Sequence, residues 1–508
     1  MKRAVGIDLG TTFSSITIVN ADNVARPIPN AEGMFTTPSV ALWRDGSFFV
    51  GQPALDMVQA ASGEERERLT GSLIRGVKRM MGRPPVGGLV SNGYRTDPVE
   101  VSAAILAKLV HDASTLLGFP VRDAVITVPA HFGDRERSAT KAAAERAGLH
   151  VLQMMNEPSA AALTYTHGQQ VEPGAALVFD LGGGTFDATI LQLGTHESRV
   201  LATKGIEELG GINFTNALAT SLRRRYEIET KTAYPNDIAA YDQLVNVAEA
   251  AKCRLSAAQS TRVMLAPPHG SLLELEVTRK QFESLVGLLL LQLQVVVEQT
   301  LERAHKTPSD IQKVLLCGGS SRIPAVQEML ARFFGRRPEA TLDLDLSVAL
   351  GAAYQAAAYA EVQKDVQGQN GQRQEAPQQH TPALQLLAEE GLVIDCVSYP
   401  VGIAVKNARG EAIKLVMLRP GDALNAWSQP VPVRILGSTA TFPPIDVYTG
   451  DGTQLLAKEY LGQISLALPL GTPSGAHATV MMRQDGSGLV QIQINLAGRD
   501  LPGNLQRI

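Results

Sequence analysis

The chain has 508 residues, more than one hydrophobic core organises at ~150 residues per domain, so a single small fold is excluded. Apolar residues make up 44% of it and charged residues 19%, which excludes a chain disordered throughout. The 46 basic residues stand against 50 acidic ones, a net charge of −4 with no long run of Lys and Arg, which argues against a nucleic-acid partner.

From the amino terminus, Arg3–Ile7 and Ser15–Val19 read as strands around the turn Asp8-Leu9-Gly10-Thr11-Thr12; Asp8 cuts the first apolar stretch before it could serve as a signal-peptide core. A helix is expected from Asp134 to Gly148 and another over Ser159–Thr166, after Pro158. The first pattern then returns: Ala176–Phe179 and Ala188–Leu193 flank Asp180-Leu181-Gly182-Gly183-Gly184-Thr185, so Asp-Leu-Gly enters a hairpin twice. Strands alternating with helices and a repeated hairpin predict a duplicated, two-lobed α/β domain.

The most apolar run, Leu285–Val297, is shorter than the roughly 20 residues that span a bilayer and contains Gln292 and Gln294. A buried helix is expected there, and no membrane partner. Val314–Cys317 reads as a buried strand, Gly318–Ser321 as a loop and Pro324 as a helix start. Residues 1–362 are assigned to the α/β domain. Residues 363–391, rich in Gln, Gly and Pro, form a flexible linker, because such a tract cannot bury enough apolar surface to order itself. Residues 392–508 read as a β-sandwich: Val490–Leu496 alternates strictly, Ile413–Leu418 and Val431–Leu436 look like strands, and Asp485-Gly486 and Gly450-Asp451-Gly452 supply turns. The well-separated Cys253, Cys317 and Cys396 fit reduced thiols in the cytoplasm better than a disulfide framework or a sulfur-bound metal.

For chemistry, Gly182–Gly184 lacks the spacing of a dinucleotide fingerprint and no P-loop occurs. Glycine-threonine hairpins can still cradle phosphate oxygens on backbone N–H groups, and two aspartates can hold a hydrated Mg²⁺. A lone Asp-Gly turn is mostly a capped turn; repetition in the same strand context turns the odds toward a clamp. The Gly318 loop fits a ligand or an ordinary strand-to-helix turn equally well.

Five segments, taken in order, resemble the seventy-kilodalton heat-shock chaperone family, of which DnaK is the bacterial type. They are Val5–Thr12, Val125–Ala130, Asn156–Ala162, Asp180–Asp187 and Gly318–Pro324. The resemblance implies an actin-like ATPase domain joined to a peptide-binding β-sandwich, ATP/ADP and Mg²⁺ as cofactors, and unfolded or extended polypeptide as client. A J-domain co-chaperone and a nucleotide-exchange factor are the further partners it implies. By position it implies that Asp8, Asp180 and Asp187 surround the hydrated magnesium, with Gly10, Thr11, Thr12, Phe13, Gly182, Gly183, Gly184 and Thr185 at the phosphates. Lys78 and Glu157 match catalytic positions, alongside Asp180 and Thr185. Gly210, Gly211, Glu249, Lys252, Ser256, Gly318, Gly319, Ser320, Arg322, Ile323 and Asp345 match the nucleotide pocket, and Pro129, Arg137, Lys141 and Asp395 match positions that couple the domains. Without the resemblance, Lys78 reads as a solvated side chain, Glu157 as a helix-start acid and the Glu249-Lys252-Ser256 stripe as a solvated helix face.

The sequence departs from the family's pattern in four places. His131 and Gly133 stand where tyrosine and asparagine are usual; Gly210–Thr215 lacks the usual acidic residues; Gly391–Asp395 only partly matches the apolar interdomain linker; and the residues after Leu496 are too few for a helical lid. The leading expectation is an ATP-dependent chaperone of lidless form. Its rivals are an actin-like filament protein, a small-molecule kinase and a non-hydrolysing nucleotide sensor that binds one partner.

Overall fold

The computed structural model describes residues 4–83, 85–168, 172–194, 197–267, 270–339, 343–369, 392–407, 409–434, 445–450, 452–465 and 476–507. The first lobe is built on a sheet ordered His150–Asn156, Asp123–Val128, Val5–Asp8, Phe13–Val19, Ala25–Pro27. The second repeats the plan with Ile311–Cys317, Gly174–Leu181, Phe186–Leu193 and Glu197–Ile206. In both, the strand that carries the hairpin aspartate, Asp8 or Asp180, pairs antiparallel with its hairpin partner and parallel with the strand on its other side. The duplication expected from Asp8 and Asp180 is therefore a duplication of topology.

Helix Ser347–Gln369 lies between the lobes and packs on Val5–Asp8 and on helix Glu157–Thr166. It comes close because small residues meet there. A Cβ on Gly6 would collide with the backbone at Ala349–Ala353, and one on Gly351 with the backbone of Ala160. The helix runs to Gln369, past the expected domain end at 362, because glutamine is a good helix former once a helix has started. The rest of the expected linker lies outside the described residues. Run Leu285–Val297 is helical but not buried all round: Leu293, Val296 and Val297 face the second lobe's core, whereas Leu288 is 78% exposed and Leu291 55%. Among the described residues no single helix is long and apolar enough to cross a membrane; Arg279–Leu285 and Gly287–Arg303 pass that test only as a pair, bent by 61°.

Leu392–Ile394, expected to open the β domain, instead adds a parallel strand to the edge of the second lobe's sheet, against Glu197–Arg199. Beyond it the described strands follow one antiparallel path: Ala412–Leu418, Val401–Lys406, Ile445–Thr449, Tyr460–Ser465, Arg499–Arg507, Val490–Leu496, His477–Gln484, Val431–Arg434. The last strand makes the sandwich, since Arg499–Gly503 pairs with Ile492–Leu496 while Asn504–Arg507 pairs with Gly462–Ser465. Val401, Ile403, Val447, Ile464, Val480, Met482, Ile492 and Ile494 fill the core between the halves. The strict alternation at Val490–Leu496 is borne out as inward apolar and half-buried polar positions.

The β domain rests on the first lobe. Val490 N donates to Asp134 Oδ2 at 2.7 Å, Arg137 Nη1 to Ser487 O at 3.1 Å, Met154 N to Ser487 Oγ at 3.1 Å, and Arg135 donates to Tyr460 O.

Candidate active site

Each hairpin is held from within. At the first, Gly10 N donates to Ser14 Oγ at 3.2 Å, and Thr127 Oγ1 donates to Asp8 Oδ1 at 2.9 Å. At the second, Gly182 N donates to Thr185 O at 3.1 Å, and Asp180 lies directly across the strand pair from Asp187. The tips meet: a Cβ on Gly183 would collide with Thr12 Oγ1, and one on Gly184 would come within 2.5 Å of the Thr11 methyl. Glycine is required here by close approach. Between the lobes these tips border a cavity of about 510 Å³.

Asp8, Gly10, Thr11, Thr12, Phe13, Lys78, Glu157, Asp180, Gly182, Gly183 and Thr185 line its deep end. Lys78 lies on the 3₁₀ turn Val77–Met80, entered through left-handed Gly76 (φ 63°), which aims the lysine inward. It is 5% exposed and donates to Glu157, so Lys78 is not the solvated side chain that local sequence suggests, and Glu157, although it does open helix Glu157–Thr166, is turned toward the lysine. Burial pushes the Glu157 carboxyl up to about 7, with Lys78 opposing and Asp8 adding to the rise. Burial also raises Asp180 well above the carboxylate range, reinforced by Glu157, Asp187 and Asp8, and raises Asp8 against the pull of Lys78. Lys78 itself moves up: burial lowers it, and Glu157, Asp8 and Asp180 outweigh that.

This is a site with negative charge in excess. Asp8, Asp180 and Asp187 offer the hard oxygen atoms that Mg²⁺ prefers. Among the described residues no three His, Cys, Asp or Glu side chains gather closely enough to ligate an ion directly.

The other end of the cavity is lined by Gly211, Glu249, Lys252, Ser256, Gly318, Gly319, Ser320, Arg322, Ile323 and Asp345. Helix Ile238–Ala257 presents Glu249, Lys252 and Ser256 on one face, and Lys252 Nζ bridges Gly211 O at 3.1 Å, Thr215 Oγ1 at 3.0 Å and Glu249 Oε2 at 2.7 Å. Burial raises the Glu249 carboxyl, but Lys252 and Thr215 more than offset it, and the net movement is down. Arg322 pairs with Asp345 at 2.8 Å on the rim.

Gly184, Gly210 and Asp187 stand just behind the wall. Gly210 has no room for a Cβ against Gly183 and Gly184, and Asp187 is 1% exposed with its Oδ1 2.8 Å from His131 Nδ1. Burial pulls the His131 pKa down, yet the Asp187 charge wins and the net movement is up. Pro129, Arg137, Lys141 and Asp395, expected from the resemblance to couple the domains, lie apart from the cavity lining. Arg137 donates to Phe132 O at 2.9 Å and to Asn156 Oδ1, and Asp395 accepts from Ser159 Oγ. Pro129 O caps the turn to Phe132, and Lys141 is half-buried on helix Asp134–Arg146.

Sequence reasoning missed Ser39, Val40, Arg75, Gly76, Ile212, Thr215, Asn216, Val245, Asn246, Cys253, Leu344 and Val348 in the lining. Arg75 closes the rim from the first lobe by an ion pair with Asp242 of the second, at 3.1 Å. Thr215, Val245, Asn246 and Cys253 share helix faces with residues already singled out, a periodicity that could have found them.

A family model described as Hsp70 protein matches residues 4–368. Among curated proteins the chain is similar to "Chaperone protein DnaK" of Thermotoga petrophila and of Thermotoga maritima, 41% identical over 360 residues. It is similar also to "Chaperone protein DnaK" of Deinococcus deserti, 42% identical over 380 residues. Each match covers 70% of this chain and 59% of the relative, so the chain spans under two thirds of the length of these relatives.

Proposed function

The chain belongs to the Hsp70 family, and from that premise we propose that it is an ATP-dependent chaperone that hydrolyses Mg-ATP slowly and uses nucleotide to control its hold on extended polypeptide. Residues 1–362 are read as the ATPase domain, extended by its last helix to Gln369, and the β domain as the client-binding part. The observation that carries the reading is the juxtaposition of Asn156 and Glu157. Glu157 reaches the cleft against Lys78, while Asn156 is held by Arg137 and Asp395 beneath the β domain.

In the cleft, backbone N–H groups of the Asp8 and Asp180 hairpins and the hydroxyls of Thr11, Thr12 and Thr185 hold the phosphates. Asp8, Asp180 and Asp187 would hold Mg²⁺ through its water shell, and the bound ion would supply charge neutralisation at the phosphate oxygens. Lys78 opposes the charge that builds on the transferring phosphoryl group, and Glu157 orients the attacking water and accepts its proton. A carboxyl near pH 7 suits that exchange. Glu249, Lys252, Ser256 and Arg322 hold the nucleoside. Nucleotide acts on the client only through different affinities for two domain arrangements, and Asn156–Glu157 is where a change at the phosphates reaches the seam. A J-domain co-chaperone and an exchange factor are the partners this reading calls for, in the cytoplasm, where Cys253, Cys317 and Cys396 stay free.

A second reading, a nucleotide sensor that hydrolyses little and serves one partner, is favoured by Tyr399. Its hydroxyl stands 2.9 Å from the place a Cβ on Gly133 would take, so the seam is filled where the family's usual asparagine would intrude. Release of a fluorescent apolar peptide, measured with and without ATP in wild type and Lys78→Ala, separates the two. Acceleration by ATP, with recapture on hydrolysis in the wild type only, supports the chaperone; release indifferent to nucleotide removes it.

A further inference from the structure

A histidine taken out of water needs partners for both ring nitrogens. His131 lies in the turn that joins strand Asp123–Val128 to helix Asp134–Arg146, and its ring meets that of Phe132 edge-on at 5.6 Å and 84°. Nδ1 is bonded to Asp187 Oδ1 at 2.8 Å; Nε2 is buried and, among the described residues, has no hydrogen-bond partner. The bond passes over Gly205, the residue opposite Asp187 on the neighbouring strand. A Cβ on Gly205 would stand 2.7 Å from His131 Nδ1 and collide with Asp187 Oδ1. Three elements therefore leave one slot, and the histidine–carboxylate bond fills it.

We propose that His131 is a positioning residue for the Mg-nucleotide site. It ties down one oxygen of Asp187 from behind the cavity wall and leaves the other to order the water shell of the cation, while Nε2 is left for a water molecule. The tie is a feature of this chain's own residues, since it depends on an imidazole nitrogen at 131 and on bare backbone at 205. It rests on the Mg-nucleotide reading given above.

The test is calorimetric titration of ADP into wild type and variants, once in EDTA and once in excess Mg²⁺, so that no turnover is read. The expected result is that His131→Ala lowers the Mg²⁺-dependent gain in ADP affinity by about tenfold while the affinity in EDTA stays as in wild type. His131→Asn, whose amide nitrogen reaches the Nδ1 position, keeps the gain within about twofold; His131→Gln, whose amide lies at the other end of the ring's span, loses it as alanine does. The asparagine and glutamine variants decide the matter if the alanine variant does not fold. An unchanged gain in His131→Ala or His131→Gln, an asparagine no better than glutamine, or equal losses in EDTA and Mg²⁺ overturns the proposal alone. A wild type that takes up no ADP overturns the nucleotide reading and this inference together.

Discussion

The interlobe cleft and the seam beneath the β domain bury charge in opposite ways. In the cleft, Asp8, Glu157, Asp180 and Asp187 crowd together with Lys78 as the cation among them, and burial drives Asp8, Glu157 and Asp180 upward. At the seam, charged groups end on neutral partners: Asp134 on Val490 N, Arg137 on Phe132 O and Ser487 O, Asp395 on Ser159 Oγ and Asn156 N. The cleft is electrostatically unfinished and gains from a cationic ligand. The seam meets its charges with hydrogen bonds to neutral groups, each of the charge-assisted kind, and these can be made and broken as the domains dock and part.

Removing Lys78 is the most forceful way to break that contrast. Lys78→Met strands Glu157 in a buried site beside Asp8 and Asp180, and the nucleotide-free protein should lose about 3–5 kcal/mol in urea unfolding at neutral pH. Adding Glu157→Gln should restore most of it, because two neutral groups of similar volume need no counter-charge. If the double variant is as unstable as the sum of the singles, the cleft does not bury an uncompensated charge and the contrast fails.

The seam should respond less, and in domain separation more than in stability. Arg137→Ala removes one bond across the seam and two that hold Phe132 and Asn156 in place, which should weaken docking by about 1.5–3 kcal/mol. Small-angle scattering should then show a larger radius of gyration, with the urea midpoint of the ATPase domain shifted far less than in Lys78→Met. A scattering profile identical to wild type would mean that the contacts around Arg137 do not hold the domains together.

The difference between the regions also explains which of them the sequence disclosed. The cleft hairpins are local: an aspartate, a tight glycine turn and threonines, twice over, needed only recognition of the repeat. Helical spacing put Glu249, Lys252 and Ser256 on one face, but only the family resemblance distinguished that face from a solvated one. Arg75 was not, because its partner Asp242 comes from the other lobe and no local pattern records that the lobes close. His131 was visible as a departure, yet the reason, Asp187 beyond a glycine at 205, exists only once two strands are paired. At the seam, charges meeting backbone atoms such as Val490 N and Ser487 O leave no mark on composition or spacing. Leu392–Ile394 had the composition of a strand, but a strand that short names no partner, and it joined the second lobe's sheet. Helix Ser347–Gln369 runs into the glutamine-rich tract because a helix already propagating takes up good helix formers, which composition alone does not show.

The finest distinction between cleft and seam is pH. Asp395 follows the strand that joins the lobes to the β domain, and burial raises its carboxyl above the ordinary 3.8, with Ser159 and Arg137 opposing. When the domains part and Asp395 is hydrated, it returns toward that ordinary value. The docked form then holds more protons than the parted form between 3.8 and the raised value, so docking strengthens as pH falls through that window. It levels off above the window, where both forms are ionised, and below it, where neither is. Energy transfer between dyes on the ATPase and β domains should therefore rise as pH is lowered from 7, and Asp395→Asn should flatten the response without changing its level at the acid end. Glu157 gives the contrasting test of region: it also gains protons in the folded cleft, but it reaches the seam through its chain neighbour Asn156, so Glu157→Gln should shift the docking profile less than Asp395→Asn does. A profile that follows Glu157 and ignores Asp395 would show that the cleft, and not the seam, sets how the domains respond to acid.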